Sequence, residues 1–173
     1  GIDCAFFISD HFTPAKLDLP EFVVYCFDED GTPLDFLKSV TSSFLRKLRK
    51  NLSHTSNPTV IDGKLIIMTH HSCLAIAHRY FDKSNTLISD ISEDYLNLYA
   101  NTKAAFSNRV HACVATLAFN NPAKLFSNTP RVALLYRVGA YTIKDKLTYP
   151  NLQRISEEKL SLIKFLSKII QPC

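Results

Sequence analysis

The chain has 173 residues, 46% of them hydrophobic and 21% charged, with a formal net charge of +4. This balance excludes the low-hydrophobicity, high-charge signature of disorder, and the length suffices to bury one core, so residues 1–173 are read as a single domain. No run approaches the ~18 apolar residues of a membrane span, the N-terminus lacks the basic-then-apolar order of a signal peptide, and four glycines argue against glycine-rich phosphate loops.

In chain order, Ala5 to Ile8 reads as a short strand or arm, followed by a loop that holds Pro14 and Pro20. Phe22-Val23-Val24-Tyr25-Cys26-Phe27 is β-branched and aromatic, and Asp28-Glu29-Asp30-Gly31 supplies a turn, so a strand is expected there. Thr32 as N-cap and Pro33 at the first helical position open a helix to about Asn51, with Leu37, Phe44 and Leu48 on its apolar stripe. Lys64 to Thr69 and Cys73 to Tyr80 read as a hairpin. Ser92-Glu93-Asp94 opens a helix to about Phe106, with its acids where the dipole favours them. Val110 to Phe119 and Val132 to Ile143 read as long neighbouring strands, separated by Asn-Pro and Thr-Pro punctuation. A final amphipathic helix starts at Asn151 or after Ser156 and stops at Pro172. Strands joined as antiparallel neighbours without a repeating strand-helix-strand rhythm predict an α+β fold, a mostly antiparallel twisted sheet with about three helices packed on one face.

Five widely spaced cysteines with no Cys-x-x-Cys pair argue against a disulfide scaffold and suit an intracellular protein, cytoplasmic or nuclear. His71-Ser72-Cys73 and His111-Ala112-Cys113 each put two metal-capable side chains on one face of an expected strand, so His71, Cys73, His111 and Cys113 would converge if those strands were neighbours. Structural zinc draws instead on tight Cys-x2–4-Cys turns, so no metal and no cofactor is expected. His54-Thr55-Ser56 and His70-His71-Ser72 have the residue types of the paired His-x-Ser/Thr motifs of the 2H phosphoesterases without their placement on separate strands.

Charge distribution points to the most specific chemistry. The overall pI near 8.8 is mild, but Arg46, Lys47, Arg49 and Lys50 crowd one helix turn, and Arg131 and Arg137 extend a basic surface if the fold brings them near. Repulsion among such cations is relieved by a polyanion, nucleic acid or an anionic membrane surface. A basic helix against a twisted sheet closed by a C-terminal helix resembles, in architecture, the small matrix proteins of negative-strand RNA viruses of the rhabdovirus type. That resemblance implies self-association and binding to anionic surfaces. The expected function is therefore a non-catalytic structural or interaction protein that self-associates and binds a polyanion; the alternative is a small Cys/His-dependent hydrolase or phosphoesterase.

Overall fold

The computed structural model describes residues 1–27, 60–61, 63–69 and 86–170. Their strands are β1 (Phe22–Cys26), β2 (Val60–Ile61), β3 (Lys64–Thr69), β4 (Thr86–Leu87), β5 (Ala105–Ser107) and β6 (Ala123–Leu125). Their helices are α1 (Ile8–His11), α2 (Ser92–Asn101), α3 (Val110–Ala118), α4 (Ala133–Arg137) and α5 (Leu152–Ile169), with 3₁₀ turns at Cys4–Phe7 and Pro130–Val132.

The strand over Phe22–Cys26 forms as expected and lies at the centre of the sheet, with all five residues buried. A strand covered on both faces has no solvent side to require polar alternation, and Phe22-Val23-Val24-Tyr25-Cys26 has none. β3 pairs with it in parallel on one side, Val24 against Ile67, and β5 in parallel on the other, Val24 against Ala105. β4 continues beyond β3 and β6 beyond β5, again in parallel. The antiparallel neighbour is the two-residue β2, which reaches β3 through Gly63 in a left-handed conformation, φ 75°.

The order β4-β3-β1-β5-β6 is that of a doubly wound α/β sheet. The chain moves outward from β1 to β3 and β4, then returns to the opposite side of β1 for β5 and β6. This corrects the expected α+β fold: the sheet is predominantly parallel, of Rossmann-like arrangement. With the antiparallel sheet goes the architectural ground for a likeness to viral matrix proteins.

Two expected strands are helices, which is the source of the correction. Val110–Ala118 is α3, and Val110, Ala112, Cys113, Val114, Thr116 and Leu117 are all buried. A helix buried nearly all round has no polar stripe to reveal its 3.6-residue period, so its sequence cannot be told from a buried strand. Within Val132–Ile143, residues 133–137 form α4. It ends in a Schellman motif: Ala140 N–H donates to Leu135 C=O at 3.1 Å and Gly139 N–H to Tyr136 C=O at 3.0 Å, with Gly139 at φ 84°.

Other boundaries shift for local reasons. The helix expected over 92–106 stops at Asn101, where Thr102 turns extended and its hydroxyl donates to Ala104 C=O at 2.8 Å, so residues 105–107 become β5. The expected N-terminal strand is instead a 3₁₀ turn capped by Asp3, whose carboxylate accepts from Ala5 N–H at 2.9 Å. Asn151 is the N-cap of α5, accepting from Arg154 N–H at 3.0 Å. Lys64–Thr69 is a strand as expected, while Cys73 to Tyr80 and the helix expected over Pro33 to Asn51 lie outside the described residues.

Helices α2 and α3 cover one face of the sheet, where Leu98, Tyr99 and Ala112 meet Phe22, Val24, Cys26 and Ile67. On the other face Tyr25 packs edge-on to Phe106 at 5.5 Å and Phe27 to Phe126 at 5.7 Å. The outer side of α3 packs on Phe6, Leu135, Val138, Ile143 and Ile155, which ties the N-terminal turn, α4 and α5 to the sheet.

Candidate functional site at the carboxyl edge of the sheet

In a doubly wound sheet the helices on either side of the point where the strand order reverses leave a crevice at the carboxyl ends of the strands. Here that point lies between β1 and β5. The Ser107 hydroxyl closes it, donating to Cys26 C=O at 2.7 Å while accepting from Arg109 N–H at 2.8 Å. Asn108 N–H adds a second bond to Cys26 C=O at 3.3 Å. The chain thus leaves β5 along a fixed path and enters α3 at Val110.

Beside this junction is a cleft of about 490 Å³, within the range of small-molecule sites. One wall is α2, with Ser92, Tyr95 and Tyr99; the floor is Asn108, Arg109 and the first turn of α3; the far rim is Ser127, Thr129 and Arg131 after β6. Arg109 is the N-cap residue of α3, and a guanidinium offers no acceptor to the amides of the first turn. The first turn of α3, Val110 to Ala112, lines the same cleft as the two arginines, which puts the positive end of the helix dipole beside it. The rim is shaped by consecutive side-chain caps: Ser127 Oγ accepts from Thr129 N–H at 3.3 Å, and Thr129 Oγ1 from Arg131 N–H at 3.4 Å. His111 stands at the edge with its side chain 62% exposed and its Nε2 3.3 Å from Asp3 Oδ2.

Of the expected binding residues, Arg131 and Arg137 are among those described, and they have different surroundings. Arg131 is exposed on the cleft rim. Arg137 is on α4 rather than on a strand face with Arg131, and its Nε donates to the buried Glu158 carboxylate at 2.9 Å, a carboxylate that Arg154 also holds at 3.1 Å. Arg46, Lys47, Arg49 and Lys50 lie outside the described residues, as do His71 and Cys73. His111 and Cys113 do not share a strand face: two residues apart on a helix, one is exposed and the other fully buried. Among the described residues no group of three or more His, Cys, Asp or Glu is placed to hold a metal.

Cys113 has no exposed surface. Burial, with Cys26 beside it, pushes its thiol above the usual range, and burial next to the same two cysteines raises the Tyr99 hydroxyl as well. No described helix is long and apolar enough to cross a membrane.

Sequence reasoning did not reach Asn108, Arg109 and Thr129. Ser107-Asn108-Arg109 is a strand-to-helix junction with polar residues at the turn, but it is legible as one only once Val110–Ala118 is known to be helical.

No family model matches the chain, and no curated protein matches it. Among solved structures it is similar to an S. aureus MnaA–UDP co-structure, at 14% identity and a TM-score of 0.43, over 83% of this chain and 36% of that one. The chain thus spans about a third of that structure's length, and at this distance the likeness carries no functional argument.

Proposed function

We propose that the chain binds a small phosphate-bearing molecule in the cleft at the carboxyl edge of its sheet. The observation that carries this reading is the meeting of Arg109, Arg131 and the first turn of α3 around one cavity beside the strand-order reversal. Guanidinium groups and helix N-terminal amides carry hydrogen-bond donors and no acceptor atoms, so together they favour an anion whose several oxygens take several hydrogen bonds, as phosphate does. The half-buried Tyr95 gives the rest of the ligand an aromatic surface, backed by the buried Tyr99. The polyanion chemistry expected from the sequence is kept in part, since Arg131 belongs to both readings, but the partner becomes a small molecule held in a crevice.

A thermal-shift titration with inorganic phosphate and with nucleoside mono- and diphosphates tests it. Saturable stabilisation is expected, because a ligand at ~100 times its dissociation constant adds about 2.7 kcal/mol. Arg109→Ala should weaken that binding ~10- to 100-fold, as loss of a charge-assisted contact does, while Lys16→Ala on the exposed N-terminal loop leaves it unchanged. If no phosphorylated ligand shifts the transition, or Arg109→Ala binds as the parent does, the reading fails.

A further inference from the structure

The two halves of α5 have the same apolar stripe and different surroundings. From its start as far as Leu162 the stripe is covered: Ile155 is buried, and Leu162 packs on the core with its methyl group 3.8 Å from where a side chain on Gly1 would begin. Helical steps from Ile155 through Leu162 continue to Leu166 and Ile169, so the core-facing stripe runs on to the end of the helix. Its cover does not run on: Leu166 is 41% and Ile169 63% exposed. Leu160, Ile163, Phe165 and Ile170 are exposed around them.

Of these, Ile163, Leu166, Ile169 and Ile170 lie within about 60° of Leu166 at 100° per residue, whereas Leu160 and Phe165 flank that face on opposite sides. The four, 41–71% exposed, present on the order of 400 Å² of apolar surface on one face of the helix, within the range of the largest patch on a typical monomer. A stable contact buries about 800 Å² on each partner, and this face supplies about half of that from apolar atoms alone. After Lys159, which is held by Asp10 at 2.8 Å, the charges on this half are Lys164 and Lys168. Each lies roughly 160° around the helix from Leu166, at 100° per residue. Two cations fall short of the cluster of about four to eight that holds a segment on anionic lipid. Lying on the far side of the helix, they leave the stripe free to meet an identical stripe without bringing like charges together.

We propose that the second half of α5 is an interface between two copies of this chain, packed antiparallel across a two-fold axis near Leu166. An isologous contact uses the same patch twice, so one exposed stripe is sufficient to build it. Antiparallel packing also sets the two helix dipoles in opposition.

Sedimentation velocity of the 173-residue chain from roughly 1 to 100 μM, a range spanning ordinary contacts of this size, should show a monomer passing to a dimer. Leu166→Glu with Ile169→Glu should raise the dimer dissociation constant ~30-fold or more, as loss of central apolar anchors does, with the circular dichroism spectrum unchanged. Amide exchange over residues 160–170 of the unaltered chain gives a reading that needs no variant: it should slow as concentration rises. A chain that stays monomeric with concentration-independent exchange overturns the proposal. So does a double variant that dimerises as the parent does. A monomer that instead sediments with vesicles of about 70% phosphatidylcholine and 30% phosphatidylserine also overturns it, and assigns the stripe to lipid.

Discussion

Ser107 has no exposed surface, and its hydroxyl is used twice, as donor to β1 and as acceptor from the backbone that starts α3. Removing it leaves Cys26 C=O with the bond from Asn108 N–H but deprives Arg109 N–H of its partner. A buried polar group left unpaired costs ~1 to 3 kcal/mol, so Ser107→Ala should lower stability by that amount in urea titration. Because Arg109 is the residue released, the same variant should lose phosphate binding beyond its loss of stability, and Ser107→Thr should restore part of both. At this scale the sequence was informative about type and silent about placement. Arg131 and Arg137 were legible as neighbouring cations; that one faces a cleft while the other neutralises a buried glutamate depends on Glu158, twenty-one residues further along the chain.

Gly139 links two elements. It ends α4 in a left-handed conformation, and a Cβ there would lie 3.2 Å from the side chain of Asn151, the N-cap of α5. Gly139→Ala therefore both strains the Schellman turn and pushes the cap away from Arg154 N–H. Each effect is worth about 1 kcal/mol or more, so thermal unfolding should show ~2 to 3 kcal/mol of destabilisation, against little for Ala at the exposed Ser156. Gly139 plays no part in the expectation of a strand over Val132–Ile143, which rests on the run Val132-Ala133-Leu134-Leu135-Tyr136; its apolar character suits a short buried helix as well as a strand. α3 failed the same way: its residues are apolar because it is enclosed by the sheet on one side and by Phe6, Leu135 and Ile155 on the other. Helices with one solvent face were legible as helices, α2 from its acidic first turn and α5 from its amphipathic stripe with Asn151 as one of two candidate starts, although α2 ends at Asn101 rather than near Phe106.

For the whole molecule, strand order decides where chemistry can occur, and it separates two kinds of anion binding. If the ligand is small and sits at the β1–β5 reversal, replacing Arg46, Lys47, Arg49 and Lys50 by Ala should leave nucleotide affinity within ~3-fold, while Arg109→Ala abolishes most of it. If an extended polyanion binds the basic cluster, the quadruple variant should instead flatten the salt dependence of duplex DNA binding by about 0.9 in log–log slope for each lost phosphate contact. Filter binding at several salt concentrations distinguishes the two. The sequence by itself determined the local grammar: a folding composition, the apolar identity of β1 and β3, the acidic first turn of α2, Asn151 as one of two candidate starts for α5, and an excess of cations. Only the tertiary structure decided that the sheet is parallel, that α3 is a helix, and that Arg109 and Arg131 meet across a cleft. The physical reasons are two: burial on every side erases the periodicity that distinguishes helix from strand, and parallel pairing, like the meeting of Arg109 with Arg131, is set by contacts between residues far apart in the chain, so neither leaves a local signature.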